Sequence, residues 1–115
     1  MKREYLDYLD DLLSAMEKAM GFIVDLKYAD FKKDEKTAYA VIRAIEIIGE
    51  AAGKIPVSVK LKYPDVPWKE MAGMRHKLVH EYFGVKLNIV WDTVKNEIPP
   101  LHQRMLQIVD EIKNK

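Results

Sequence analysis

Hydrophobic and polar positions follow a helical period along most of the chain. Two segments, about Arg3 to Leu26 and about Glu35 to Gly53, carry apolar residues at spacings of three and four with charged residues between them. This spacing predicts two amphipathic helices. Asp34 suits the N-cap of the second helix, and Gly53 suits its C-terminal cap. The apolar stripes are Tyr5, Leu9, Leu12, Leu13, Met16, Ala19, Met20, Ile23 and Val24, then Ala38, Val41, Ile42, Ile45, Ile48, Ala51 and Ala52.

The second half of the chain contains all five prolines, which limit helix length there. A short helix is predicted from Val57 to Tyr63, and a longer one begins near Trp68 and runs to Gly84. A last periodic segment extends from Leu87 to Ile112, and the Pro99-Pro100 pair should break or kink it. The stripe of this segment is Leu87, Val90, Trp91, Val94, Ile98, Leu101, Met105, Ile108, Val109 and Ile112. No segment alternates with a period of two. The pattern therefore predicts an all-α, up-and-down bundle of four main helices plus a short helix, forming one domain over residues 1–115.

Composition narrows the class of protein. Lysine and arginine total 19 against 18 aspartates and glutamates, a net charge of +1, so nothing in the bulk charge attracts nucleic acid or anionic lipid. The uncharged runs are far shorter than the ~20 residues that a membrane helix needs. The N-terminal sequence has no signal region, which favours the cytoplasm. The absence of cysteine excludes disulfides and thiol nucleophiles.

One stretch concentrates groups that can do chemistry: Arg75, His76, Lys77, His80 and Tyr82 lie within eight residues. Metal-free RNA cleavage needs a base for the 2′-hydroxyl proton, an acid for the leaving 5′-oxygen and a cation against the phosphate. Histidine titrates near neutral pH and suits the first two roles, and arginine suits the third. Arg75 and His80 are about 140° apart around an ideal helix, so their convergence needs long side chains, a helix end or a second copy of the chain.

Two other interpretations of this stretch remain open. A charged helical segment with two histidines is commonly a solvated surface. His76 and His80 are also four residues apart, as two metal ligands on a helix would be. The position after His76 is Lys77 rather than the glutamate of a zincin, and no third ligand is evident, so we expect neither a metal nor a cofactor.

The six-residue pattern and its surroundings resemble a known family. Arg75 to His80 has the Arg-x4-His form of the HEPN ribonuclease motif, and Tyr82 extends it to Arg-x4-His-x-Tyr. This form resembles the HepT toxins of the HEPN/minimal-nucleotidyltransferase (MNT) toxin–antitoxin systems. The flanking segments that resemble the family are Tyr39 to Arg43, Glu46 to Ala52, Tyr63-Pro64, Pro67-Trp68, Met71 to Arg75, Tyr82 to Val85, Ile89 to Trp91 and Ile98-Pro99.

The resemblance implies a type VII-like toxin that acts as a homodimer and cleaves RNA without a metal. Arg75 and His80 would be the catalytic residues, with His76 assisting and Lys77 contacting the substrate. Tyr82 would accept AMP from a minimal nucleotidyltransferase antitoxin, and the added charge and bulk would block RNA entry. The alternative is a non-catalytic helical binding module that acts through the nucleotidyltransferase partner.

The chain departs from the family pattern near the motif. Lys86 stands where aspartate is common, which removes an N-cap from the last segment, and Glu81 places a negative charge beside the expected phosphate site. Glu46 and Glu50 are expected either to orient Arg75 or to form surface ion pairs with Arg43 and Lys54, and we favour the second interpretation.

Overall fold

The computed structural model describes residues 2–79 and 86–114, with the backbone alone at 2–4 and 75–79. The described elements are helical throughout, so the predicted all-α class is confirmed. They are α1 (Lys2–Ile23), α2 (Tyr28–Phe31), α3 (Glu35–Gly53), α4 (Val57–Lys62), α5 (Trp68–Val79), α6 (Leu87–Asp92), a π-helical segment (Thr93–Glu97) and α7 (Ile98–Lys113). The four predicted main segments correspond to α1, α3, α5 and the run from α6 to α7.

The hydrophobic core lies where α1, α3, α5 and α7 meet, with α3 packed against both α1 and α5. Leu9, Leu12, Met16 and Ile48 are fully buried, as their stripes predict. One stripe position is wrong, because α1 ends at Ile23 and Val24 is 67% exposed. Among the described side chains, no charged residue is buried.

Both ends of α3 show how local chemistry sets its length. The Asp34 carboxylate accepts hydrogen bonds from the Thr37 backbone N–H at 3.1 Å and from the Thr37 side-chain hydroxyl at 2.6 Å. These bonds confirm the predicted N-cap. These bonds from Thr37 lower the pKa of Asp34. Gly53 is instead the last helical residue and has no left-handed backbone, so its predicted capping role is wrong. The Lys54 N–H bonds to the Ala51 carbonyl at 3.1 Å and tightens the last turn.

The last segment is interrupted by a π-helical turn. Pro99 and Pro100 lie in the first turn of α7, where missing N–H groups are tolerated. The irregularity falls before them, at Thr93–Glu97, and the Ile98 N–H bonds to the Thr93 carbonyl five residues back. The wider turn accommodates the proline rings. The break predicted at Pro99-Pro100 is therefore a π-helical turn just before them. Lys86 precedes α6 without a side-chain cap, as predicted.

Polar contacts fix α7 against the rest of the bundle. The Arg104 guanidinium forms a two-pronged bond to Asp65 at 2.6 and 3.2 Å, and it lowers the pKa of that carboxyl. His102 Nε2 lies 2.9 Å from Glu17 Oε2 on α1. These bonds join α7 to the turn before α5 and to α1. None of the helices in the described ranges is both long and apolar enough to cross a bilayer.

Candidate active site

Three of the predicted site residues lie in one helix. Arg75, His76 and Lys77 belong to the second half of α5, as the hydrophobic pattern predicts. Their side chains are not among those described. His80 and Tyr82 fall in residues 80–85, outside the described residues, together with Glu81 and the predicted helix end at Gly84. The convergence of Arg75 and His80 therefore stays a prediction.

The start of α5 is anchored in the core, which positions the segment that follows. Trp68 is buried, and its indole N–H donates to the Tyr63 carbonyl at 3.0 Å. The Met71 N–H bonds to the Pro67 carbonyl at 2.9 Å, so Pro67 contributes to the first turn. Met71 is fully buried and ties this turn to the bundle. Arg75 follows one turn later on the same helix.

The carboxylates predicted beside the site form ion pairs along α3. The Arg43 Nη1 atom lies 3.9 Å from Glu46 Oε1 and 3.4 Å from Glu50 Oε1. This contact agrees with the surface-pair interpretation that the sequence favours. Lys54 is the exception, because its Nζ lies 5.4 Å from the centre of the Tyr8 ring rather than against a glutamate. Pairs this exposed contribute little to stability.

A groove runs beside α5, the helix on which the Arg-x4-His motif begins and which is called the motif helix below. It consists of two adjoining cavities of about 380 and 610 Å³ that share Ile89, Thr93 and Glu97 as walls. The smaller cavity includes Gly73 and Met74, which directly precede Arg75 in α5. The remaining lining residues are Ile45, Glu70 and Val90 in the smaller cavity and Tyr28, Asn88, Trp91 and Asp92 in the larger. A ligand bound at Gly73 and Met74, just before the motif, can therefore extend into this groove.

Aromatic residues close the far end of the groove. The half-buried rings of Tyr28 and Trp91 meet edge to face at 5.8 Å, and Trp91 packs on the buried Phe31 at 5.2 Å. Lys32 Nζ lies 5.9 Å from the Tyr28 ring, and Lys95 Nζ lies 5.1 Å from the Trp91 ring. In the sequence, Trp91 is a position of the apolar stripe and of a segment that resembles the family, and neither indicates a ligand-binding ring. A lysine four residues after each aromatic residue was the available signal.

Metal binding finds no support among the described side chains, where no three histidine, aspartate or glutamate residues group together. His76 and His80 are not among those side chains. His102 is held by Glu17 between α7 and α1. Within the described residues the chemistry available to the groove is aromatic, amide and carboxylate.

The fold and the motif define an all-α protein that carries a ribonuclease-type Arg-x4-His pattern, which begins on a core-anchored helix. The comparison with protein families identifies the family: the model described as "Ribonuclease HepT-like" matches residues 12–108. The chain belongs to the HepT-like ribonuclease family, as the sequence resemblance predicts.

The names of several relatives agree with this assignment. The chain is 50% identical over 101 residues to a protein of Thermococcus cleftensis named "Probable ribonuclease HepT", covering 88% of this chain and 92% of the relative. It is 44% identical over 114 residues to a "Putative RNase" of Methanocaldococcus jannaschii, covering 99% of this chain and 98% of that protein. A "Putative RNase" of Caldanaerobacter subterraneus is 42% identical over 106 residues, covering 92% and 95%. No solved structure matches the chain.

Proposed function

We propose that this protein is an endoribonuclease that cleaves RNA without a metal ion, as the toxin of a type VII-like toxin–antitoxin system. The observation that carries the proposal is the pattern Arg75-x4-His80-x-Tyr82 in a chain that belongs to the HepT-like ribonuclease family. The core-anchored first turn of α5 supports it, because a catalytic group needs a rigid base.

The proposed reaction is an internal transfer within RNA. The 2′-oxygen attacks the adjacent phosphorus, the bond to the 5′-oxygen breaks, and a 2′,3′-cyclic phosphate forms. His80 takes the 2′-hydroxyl proton or protonates the leaving oxygen, and His76 assists in proton transfer. Arg75 binds the phosphate oxygens as negative charge develops, and Lys77 contacts the substrate backbone.

A homodimer would supply the second proton-transfer group. Arg75 and His80 do not share a face of an ideal helix, so two motifs facing each other across a cleft would complete each site. One copy of His80 would then act as the base and the other as the acid. The mechanism requires a dimer in solution, which sedimentation equilibrium measures directly.

Regulation would act through Tyr82. A minimal nucleotidyltransferase antitoxin in the cytoplasm would transfer AMP to its hydroxyl oxygen, with pyrophosphate leaving from ATP. The phosphate adds negative charge beside the cleft and repels RNA. Tyr82→Phe is expected to keep cleaving RNA in the presence of the antitoxin and ATP, whereas the wild type gains the mass of AMP and stops.

The test is a cleavage assay on total tRNA and mRNA in excess chelator, with the intact mass of the protein recorded. Arg75→Ala and His80→Ala are expected to lose at least a hundredfold in rate, since each removes a group that acts on the reacting atoms. Arg43→Ala and His102→Ala are the matched controls, because they remove an arginine and a histidine outside the motif.

Two results would overturn the proposal. Cleavage that chelator abolishes would show a metal-dependent reaction. A protein of unmodified mass that cleaves nothing would be the non-catalytic binding module, acting through its nucleotidyltransferase partner. Circular dichroism of each variant shows that loss of activity is not loss of fold.

A further inference from the structure

The larger cavity of the groove combines three kinds of chemistry in one place. Tyr28 and Trp91 offer aromatic surface, Asn88 offers an amide, and Asp92 and Glu97 offer carboxylate oxygens. Lys32 and Lys95 lie over the two rings at the rim. A cavity of about 610 Å³ is larger than one nucleobase needs, and it is open to solvent.

This chemistry fits a nucleobase better than a phosphate. Unpaired bases stack on tyrosine and tryptophan rings, and their edges bond to amides and carboxylates. The two carboxylates repel phosphate but accept hydrogen bonds from amino groups. Asp92 Oδ1 accepts from Asn96, which leaves Oδ2 as the atom for a base. The exposed ammonium groups of Lys32 and Lys95 suit the flanking phosphates.

The groove is continuous with the motif helix. Glu97, Thr93 and Ile89 line both cavities, and the smaller cavity reaches Gly73 and Met74, the residues before Arg75. An RNA strand held at Arg75 by its scissile phosphate can therefore follow this groove. A base further along the strand would then lie at the larger cavity, which Trp91 lines.

From this arrangement we infer that the larger cavity is a base-binding subsite of the ribonuclease. A nucleotide near the cleavage point stacks on Trp91, beside the Tyr28 ring that meets Trp91 edge to face, and its exocyclic amino group bonds to Asp92 or Glu97. Adenine and cytosine carry such an amino group, and uracil does not. The subsite rests on the proposed ribonuclease function and adds the substrate preference to it.

The chain has two tryptophans, which allows a direct measurement of stacking. Trp68 is only 6% exposed, so a base can quench Trp91 alone. The experiment titrates 2′-O-methyl trinucleotides of adenine, cytosine or uracil, which bind but cannot be cleaved, into the full-length protein and its Trp68→Phe variant. Quenching by the adenine and cytosine probes is expected, with dissociation constants at least fivefold below that of the uracil probe.

Variants separate stacking from charge. Trp91→Leu is expected to weaken binding of the adenine probe about 5- to 150-fold, the usual range for a lost base–aromatic stack, and Trp91→Phe is expected to retain most of it. Lys95→Ala is expected to weaken binding only at low salt. Lys62→Ala is the matched control, because Lys62 lies 5.9 Å from the Tyr63 ring on α4, outside the groove lining.

The outcomes distinguish the subsite from the function on which it rests. If the wild type cleaves RNA but no probe quenches Trp91, or if all three probes bind equally, the subsite is wrong and the ribonuclease proposal stands. If the wild type neither cleaves RNA nor binds any probe, the ribonuclease proposal fails and the subsite with it. The quenching measurement on the wild type decides the case even where Trp91→Leu fails to fold.

Discussion

Phe31 gives the sharpest test of the packing argument. Its side chain is 0% exposed although α2, to which it belongs, has only four residues. A single turn of helix has no stability of its own, so burial of this ring against Trp91 holds it in place. Phe31→Ala should cost about 3–5 kcal/mol of the free energy of unfolding, of which the ring pair with Trp91 contributes roughly 0.5–1.5 kcal/mol.

The magnitude translates into a large thermal shift. A chain of this length loses about 4 °C in Tm for each kcal/mol, so Phe31→Ala should unfold about 12–20 °C lower. The matched control is Phe22→Ala, which removes the same atoms at a site that is 43% exposed. That variant should lose less than about 1 kcal/mol, because nearly half of its side chain already meets water.

The assay is urea unfolding followed by two probes. Circular dichroism reports the helices as a whole, and tryptophan fluorescence, measured in a Trp68→Phe background, reports the surroundings of Trp91. Equal losses in Phe31→Ala and Phe22→Ala would refute the reasoning. A transition in fluorescence that precedes the loss of circular dichroism would show instead that α2 detaches locally. The destabilisation caused by Phe31→Ala could then not exceed the free energy of that local detachment.

Three further predictions concern local interactions. Because Thr37 lowers the folded-state pKa of Asp34, the ionised cap stabilises the protein above the unfolded pKa near 3.8 and loses that contribution as pH falls through the folded pKa. The Tm difference between wild type and Asp34→Asn, followed from pH 7 to pH 2, should therefore shrink in acid; a constant difference would contradict this. Arg104→Lys loses the two-pronged bond to Asp65, so its Tm should fall below that of wild type while RNA cleavage is unchanged. Gly21→Ala should raise stability by about 0.5–1 kcal/mol in urea unfolding, because an added Cβ meets nothing within 4 Å; a loss there would show a contact that the structure lacks.

Much of the fold is predictable because its helices obey local rules. The start of α3 follows from Asp34, and the apolar stripes of α1, α3 and the last segment are largely buried. Val24 continues the α1 stripe in the sequence but lies outside the helix, since periodicity does not specify where a helix ends. The π-helical segment before Pro99 is likewise not predictable from the sequence, because several turn geometries can accommodate a proline.

The candidate site is likewise only partly predictable from the sequence. The motif from Arg75 to His80 is a short sequence pattern, so the chain alone reveals it. The groove is not local: Tyr28 and Trp91 are far apart in sequence and meet only because α2 packs on α6. No periodicity encodes that contact, and only the tertiary structure brings the two rings together.

The π-helical segment also divides the chain into units that can open separately. Pro99 and Pro100 have no N–H to give to the carbonyls four residues back, so the backbone ladder is thinned where α6 joins α7. Arg104 and His102 tie α7 to other parts of the bundle, whereas α6 bears the groove wall. Amide hydrogen exchange should therefore release the α6 protons in an earlier class than those of α7. The wall of the groove can thus fluctuate while the bundle that supports it stays closed.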